Sequence, residues 1–233
     1  MNDPCIRADE RWSDPHLRIA LVTETYPPEI NGVAMTLERM VAGLIARGHR
    51  VELIRPRQGR ADEAGRSDGF DEVLAQGCKL PHYDGLRFGL PARAFLTRLW
   101  SRERPDLVHV ATEGPLGWSA VSVATRLRIP VTSDFHTNFD HYSSHYRLGW
   151  LRHPVTAYLR CFHNRTARTF VPTVAIARSL EERGYQRVTV VARGVDTALF
   201  RPDARRSELR RGWGVADNDP VVNQADFPGG SLV

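Results

Sequence analysis

Two hydrophobic periods alternate along the chain. Arg18–Thr23 (RIALVT) is a short continuous apolar run of the kind that makes a buried strand, and a turn-rich loop, Glu24–Gly32, follows it. From Val33 to Arg47 the residues Val33, Leu37, Met40, Val41, Leu44 and Ile45 recur at three- and four-residue spacing, which predicts a helix, and Gly48 stands where a glycine would end it. The pairing then repeats. Val51–Ile54 reads as a strand, Pro91–Arg102 as a helix opened by proline, Asp106–Ala111 as a strand, Pro115–Leu127 as a helix and Pro130–Phe135 as a strand. Leu151–Arg168 predicts a further helix leading to Thr169–Val171, Ala175–Arg183 a helix ended by Gly184, and Arg187–Ala192 a strand. Strand and helix in this order predict an α/β fold, a Rossmann-like doubly wound parallel sheet.

Pro56–Phe70 interrupts the pattern with Arg, Gly, Asp and Ser and reads as an exposed loop, and Glu72–Phe88 holds short β-like pieces broken by Gly77, Pro81 and Gly85. Three segments follow: residues 1–16 as a polar, disordered leader, 17–202 as one α/β domain, and 203–233 as a linker with the start of another unit. In the last segment Ser207–Trp213 looks helical, Pro220–Val222 reads as the beginning of a strand, and residues 223–233 carry no period.

The 233 residues are 42% hydrophobic and 25% charged, a composition that excludes disordered, fibrous and membrane-spanning classes. Cys5, Cys78 and Cys161 are odd in number and scattered, which argues for a reducing, cytoplasmic setting. The balance of 32 basic against 27 acidic residues gives net +5, with Lys79 the only lysine. Arginine-rich surfaces favour phosphate-bearing or acidic partners, but no nucleic-acid reader motif occurs, and nucleic acid is not an expected partner.

The candidate chemistry sits at strand ends. In an open α/β sheet, ligands bind beyond the carboxyl ends of the strands, which is where Tyr26–Val33 falls. Gly32, lacking a Cβ, would let a phosphate approach the first amides of the helix. There is no G-x-G-x-x-G and no G-x-x-x-x-G-K-[ST], so this is not the dinucleotide or P-loop pattern. His136, in Thr132–Phe139, lies just past a strand in the same crevice, where an imidazole can bond a sugar hydroxyl or exchange a proton near neutral pH. His136, His141, His145, His153 and His163 cluster, but His-Glu-x-x-His is absent and no metal is expected. Arg147–Arg168 mixes arginines with Trp150, Tyr158 and Phe162; such a segment either lies on an anionic membrane or packs on the sheet with its arginines reaching water. Gly117–Val121 lacks the second glycine of a serine nucleophile elbow.

Taken in order, RIALVTETYPPEINGV, the Gly48-His49 turn before VELI, the strand from Arg104 to Val110 (RPDLVHV), SDFHTNF and ARGVDTALFRP resemble the N-terminal, acceptor-side domain of the GT-B glycosyltransferases of family 4, from about Arg18 to Pro202. The last two segments are similar to bacterial GDP-mannose-dependent α-mannosyltransferases and sulfoquinovosyl-lipid synthases. The resemblance implies the N-terminal half of a GT-B fold and retaining hexosyl transfer, of the mannosyl type, from a nucleotide-diphospho sugar such as GDP-mannose to a lipid or glycan acceptor. It implies no cofactor and no metal. It places Asn31 and Gly32 against the donor phosphate and sugar, His136 as the catalytic contact to the transferred sugar, and Glu113 and Asn138 at the acceptor. It also implies a cytoplasmic protein peripheral to the inner face of the cell membrane. The family's second domain supplies an Arg/Lys pair and a Glu-x7-Glu motif, and no two glutamates here have that spacing. The chain therefore reads as an acceptor-side half, truncated before or completed by a separate C-terminal domain and inactive alone. The other reading is a non-catalytic module that binds an acceptor or a membrane.

Overall fold

The computed structural model describes residues 16–79, 87–136 and 152–216, apart from 193, 195–196, 199–200, 202 and 204. The chain divides into two compact units, Met1–Arg193 and Gly194–Val233. In the first the described elements are β1 (Arg18–Val22), α1 (Gly32–Ala46), β2 (Arg50–Pro56), β3 (Arg66–Ser67), β4 (Phe70–Ala75), β5 (Gly77–Lys79), β6 (Arg87–Gly89), α2 (Arg93–Arg102), β7 (Leu107–Val110) and α3 (Pro115–Arg126). They continue with β8 (Val131–Asp134), α4 (Arg152–His163), β9 (Arg168–Val171), α5 (Val174–Glu182) and β10 (Val188–Val190). The second unit holds α6 (Ser207–Gly212).

One sheet runs in the order β10-β9-β8-β7-β1-β2-β4-β3, parallel throughout except for the short β3–β4 hairpin. Alternation along β1 sorts its side chains to two cores. Leu21 faces a layer with Leu37 and Val41 of α1, while Ala20 and Val22 face Leu96 and Trp100 of α2 and Leu116 and Ala120 of α3. A third cluster joins Leu159 of α4 and Leu180 of α5 to Val171 of β9. Burying both faces makes near-continuous apolar strands the rule, as RIALV shows. Gly48 and Gly184 close α1 and α5 with φ of +85° and +83°, the left-handed geometry that the sequence assigned to them.

The structure corrects two expectations. The helix expected to reach Arg168 stops at His163, where Asn164 bonds a distant carbonyl and Thr166 a local one. Asn164 Nδ2 donates to the Gly184 carbonyl at 3.0 Å and Thr166 Oγ1 to the His163 carbonyl at 2.8 Å, after which Arg168–Val171 is a strand. The segment 56–70 is not a free loop. It contains β3, and buried Arg55 grips it through two bonds to Asp62 at 2.7 and 2.9 Å and one to Glu72 at 2.5 Å. The leader, residues 137–151 and residues 217–233 lie outside the described residues, and with them Asn138, His141, His145, Trp150 and Pro220–Val222.

Candidate active site

The chain leaves β1 to build β2 on one side and returns through α2 to build β7 on the other. The strand order therefore reverses between β1 and β7, where an open sheet forms its crevice. Val22 is in register with both Ile54 and Val110, so β1 and β7 end flush while β2 runs two residues further, to Pro56. Loops 23–31, 111–114 and 135–136 leave β1, β7 and β8 at this end, and they carry Asn31, Glu113 and His136.

Asn31 is the N-cap of α1. Its Oδ1 accepts from the backbone N–H of Val33 at 3.1 Å and Ala34 at 2.9 Å, while Nδ2 donates to Thr25 Oγ1 at 2.7 Å. Thr25 in turn donates to Glu29, whose other oxygen accepts from Gln58 Nε2 at 2.5 Å, tying the loop to the segment after β2. Around Gly32 the space is open: a Cβ there would meet nothing within 4 Å. At the start of α1 the Gly32 backbone is thus open to solvent while Asn31 takes the amides of Val33 and Ala34, beside Ile30, which is 88% exposed.

Across the reversal, the backbone N–H of Glu24 donates to Thr112 Oγ1 at 2.8 Å. The Glu24 carboxylate accepts from the Gly89 N–H and faces the first amides of α3, at Leu116 and Gly117. The N-cap of that helix, Gly114, offers no side chain. Burial pushes the Glu24 carboxyl up to about 7, against the lowering effect of those three amides.

His136 follows β8, with Nε2 3.0 Å from Oδ2 of Asp134. The same oxygen lies 3.3 Å from Nε2 of His109 on β7, and His109 Nδ1 is 2.9 Å from Thr132 Oγ1. Asp134 and His109 are buried. Burial opposes ionisation of Asp134, but its contacts with His109 and then His136 prevail and hold the carboxyl well below the usual carboxylate range.

Glu113, an expected acceptor contact, has its carboxylate 3.3 Å from Nε2 of fully buried His163. His163 Nδ1 is 2.9 Å from Ser133 Oγ, which also meets Thr166 and Thr169 at 3.1 and 3.3 Å. Ser133 and His163 are fully buried, so this serine–histidine pair anchors α4 to the sheet, while Glu113 at its end is only partly buried. Its outlet is Tyr158, whose hydroxyl donates to the Glu113 carbonyl at 2.6 Å. Tyr158 stacks on Trp118 at 5.3 Å, and Arg165 lies 5.1 Å over the Trp118 ring. Trp118 and Tyr158 border an open cavity of about 550 Å³ with Arg93, and Arg93, Arg126 and Arg165 border a second of about 430 Å³.

Among the described residues no group of three or more His, Cys, Asp or Glu is placed to hold a metal. Glu24, His109 and Asp134 carried no assigned role in the sequence. The signal that could have found them is a charged or polar residue at the end of a strand otherwise read as buried.

A parallel sheet whose strand order reverses between β1 and β7, with Gly32 open to solvent at the start of α1 and His136 just beyond β8, has the crevice layout of an open α/β fold. The sequence profile of Glycosyltransferase Family 4 matches residues 30–199, and the chain belongs to that family. GDP-mannose-dependent alpha-mannosyltransferases of Corynebacterium glutamicum and Mycobacterium tuberculosis are 31% and 30% identical to it, each over 88% of this chain and over 50% and 54% of their own length. The chain thus spans about half the length of the curated relatives it matches. The solved structure of sucrose-phosphate synthase from Thermosynechococcus elongatus superimposes with a TM-score of 0.62 at 14% identity, covering 88% of this chain and 54% of that one, which shows the shared fold.

Proposed function

We propose that the chain forms the acceptor-side wall of a retaining glycosyltransferase that moves mannose from a GDP-mannose-like donor to a lipid or glycan acceptor, without a metal ion. The observation that carries the reading is the open approach to Gly32 at the start of α1, on the same sheet edge as His136. The Gly32 backbone at the positive end of α1 would meet the donor phosphate, Asn31 caps the next two amides and holds that turn in place, and His136 would contact the transferred sugar near the reacting carbon. A loose, oxocarbenium-like transition state needs stabilisation of the departing diphosphate, which amide dipoles supply on this side and cationic groups of a nucleotide-binding half on the other. With one wall only, donor and acceptor are not held against each other, and the proximity contribution is lost. The 233 residues alone are therefore expected to be inactive.

Arg93, Arg126 and Arg165 beside Trp118 and Tyr158 favour an acceptor with an anionic, lipid-borne headgroup, and a cytoplasmic protein peripheral to the membrane. Among the described residues no helix is long and apolar enough to cross a membrane. The same surface supports the second reading, a module that binds acceptor or membrane without catalysis. The test is transfer of labelled mannose from GDP-mannose to a bacterial lipid extract, by the chain alone and with the nucleotide-binding half of the corynebacterial relative supplied. Product only in the second mixture, abolished by His136→Ala, is the expected result. Product from the chain alone would overturn the expected inactivity, and lipid binding with no product in either mixture would favour the binding module.

A further inference from the structure

Asn31 can cap α1 only with Oδ1 turned to the helix, and a run of hydrogen bonds that begins outside its loop sets it that way. Asn31 Nδ2 donates to Thr25 Oγ1 at 2.7 Å, and the single proton of that hydroxyl goes to Oε2 of Glu29, so Thr25 meets Asn31 only as an acceptor. Glu29 Oε1 accepts from Gln58 Nε2 at 2.5 Å. A carboxylate has no proton to give, so Gln58 must turn its NH2 end, and not its carbonyl, toward the loop. Gln58 is itself held from behind. Its backbone N–H donates to Asp62 Oδ2 at 2.7 Å, its carbonyl accepts from Arg87 Nη1 at 3.3 Å, and Asp62 takes two bonds from buried Arg55. Donors and acceptors thus alternate without a mismatch from Arg55 on β2 to the amides of Val33 and Ala34.

We propose that Glu29 and Gln58 are positioning residues for the donor end of α1: Gln58, anchored to Arg55 through Asp62, holds Glu29, and Glu29 holds the Thr25–Asn31 pair that caps the helix beside Gly32. Without the Glu29 carboxylate the Thr25 hydroxyl would be free to donate to Asn31 Oδ1 and compete with the helix amides for that oxygen. Neighbouring parallel strands β1 and β2 deliver the two segments to the same end of the sheet, so the stretch after β2 sets the Gly32 backbone without touching a ligand itself. Fixing a loop before the ligand arrives spares the ordering cost on binding. The consequence for donor binding rests on the reading of Gly32 given above; the path of hydrogen bonds does not, and the two can fail separately.

The test is hydrogen exchange at assigned backbone amides of the full chain, well above the carboxylate titration range, comparing Val33 and Ala34 with Leu21 of β1 as the reporter of overall opening. Gln58→Glu, which sets carboxylate against carboxylate, should speed exchange at Val33 and Ala34 roughly fivefold relative to Leu21, the equivalent of losing a typical cap. Adding Glu29→Gln restores an amide-to-carboxylate pair with its ends exchanged and should return both amides to native rates. Native rates in folded Gln58→Glu, or no recovery in the double variant, would overturn the proposal. If Gln58→Glu does not fold, Gln58→Ala takes its place, with faster exchange at Val33 and Ala34 expected and native rates overturning the proposal. With the nucleotide-binding half of the corynebacterial relative supplied, Gln58→Glu should also raise the KM for GDP-mannose about tenfold and the double variant lower it again. Altered exchange with an unchanged KM would overturn the Gly32 reading and leave the hydrogen-bond path standing.

Discussion

The carboxylate of Glu24 packs directly against the Cα of Gly114, so that a side chain at 114 would collide with it. This contact joins the loop after β1 to the start of α3 across the strand-order reversal and sets the carboxylate facing the first amides of that helix.

Gly114→Ala is therefore expected to destabilise the chain by about 1–3 kcal/mol, the usual range for forced overpacking. Gly32→Ala, with open space before it, should leave the melting temperature nearly unchanged while weakening nucleotide-sugar binding at least tenfold in a chain supplied with its donor half. Equal loss of stability in both variants, read by thermal melts, would remove the distinction between a packing glycine and a ligand-facing one.

Glu24 also carries a pH dependence. Its folded-state value of about 7 lies above the ordinary 4.5, so the folded chain binds this proton more tightly than the unfolded one. Its contribution to stability is greatest below about pH 4.5, fades as pH rises to about 7 and is a constant penalty of about 3 kcal/mol above it, at ~1.4 kcal/mol per unit. Glu24→Gln, which keeps the shape and cannot ionise, should gain about 2 kcal/mol relative to native between about pH 5 and about pH 8. Urea titrations at the two pH values check this, and a difference independent of pH would contradict it.

Arg55 holds two carboxylates with only 4% of its side chain exposed, and Glu72 is nearly as buried at 8%. Arg55→Leu strands Glu72 and should cost about 3–5 kcal/mol, the typical penalty for a buried charge left unpaired. Adding Glu72→Gln should recover part of that loss. A double-mutant cycle with no coupling between the two positions would show that the pair contributes nothing together.

Glu113 faces a contest between two roles. Its contact with His163 predicts that Glu113→Ala lowers stability by about 1–3 kcal/mol by leaving a buried imidazole without its partner. Acceptor affinity that falls while the melting temperature stays put would instead assign it to the acceptor site.

Much of the scaffold was legible before folding. The apolar run RIALVT and the three-four stripe from Val33 to Ile45 announce a strand and an amphipathic helix because burial on two faces, or on one stripe, dictates those periods. Gly32 was legible too, since a glycine between strand and helix has a local meaning, whereas the capping of α1 by Asn31 came from the structure. The boundary at His163 was not, because Arg165 and Arg168 continue a helical pattern that Asn164 and Thr166 end by bonding to distant or local carbonyls. The role of Arg55, between the predicted strand and the loop, was not legible, since nothing local says that Asp62 and Glu72 will converge on it.

By itself the sequence determined the alternation of strand and helix, the left-handed turns at Gly48 and Gly184, and the family, all of which are written in near-neighbour patterns. The tertiary structure decided what Glu24, His109 and Asp134 do. Each lies in a segment read only as loop or strand, and each takes partners from groups that are remote in sequence: Gly89 and the start of α3 for Glu24, and β8 for His109. Burial and through-space contact set the charge of a carboxyl and the neighbours of an imidazole, and both exist only once the sheet has brought its strand ends together.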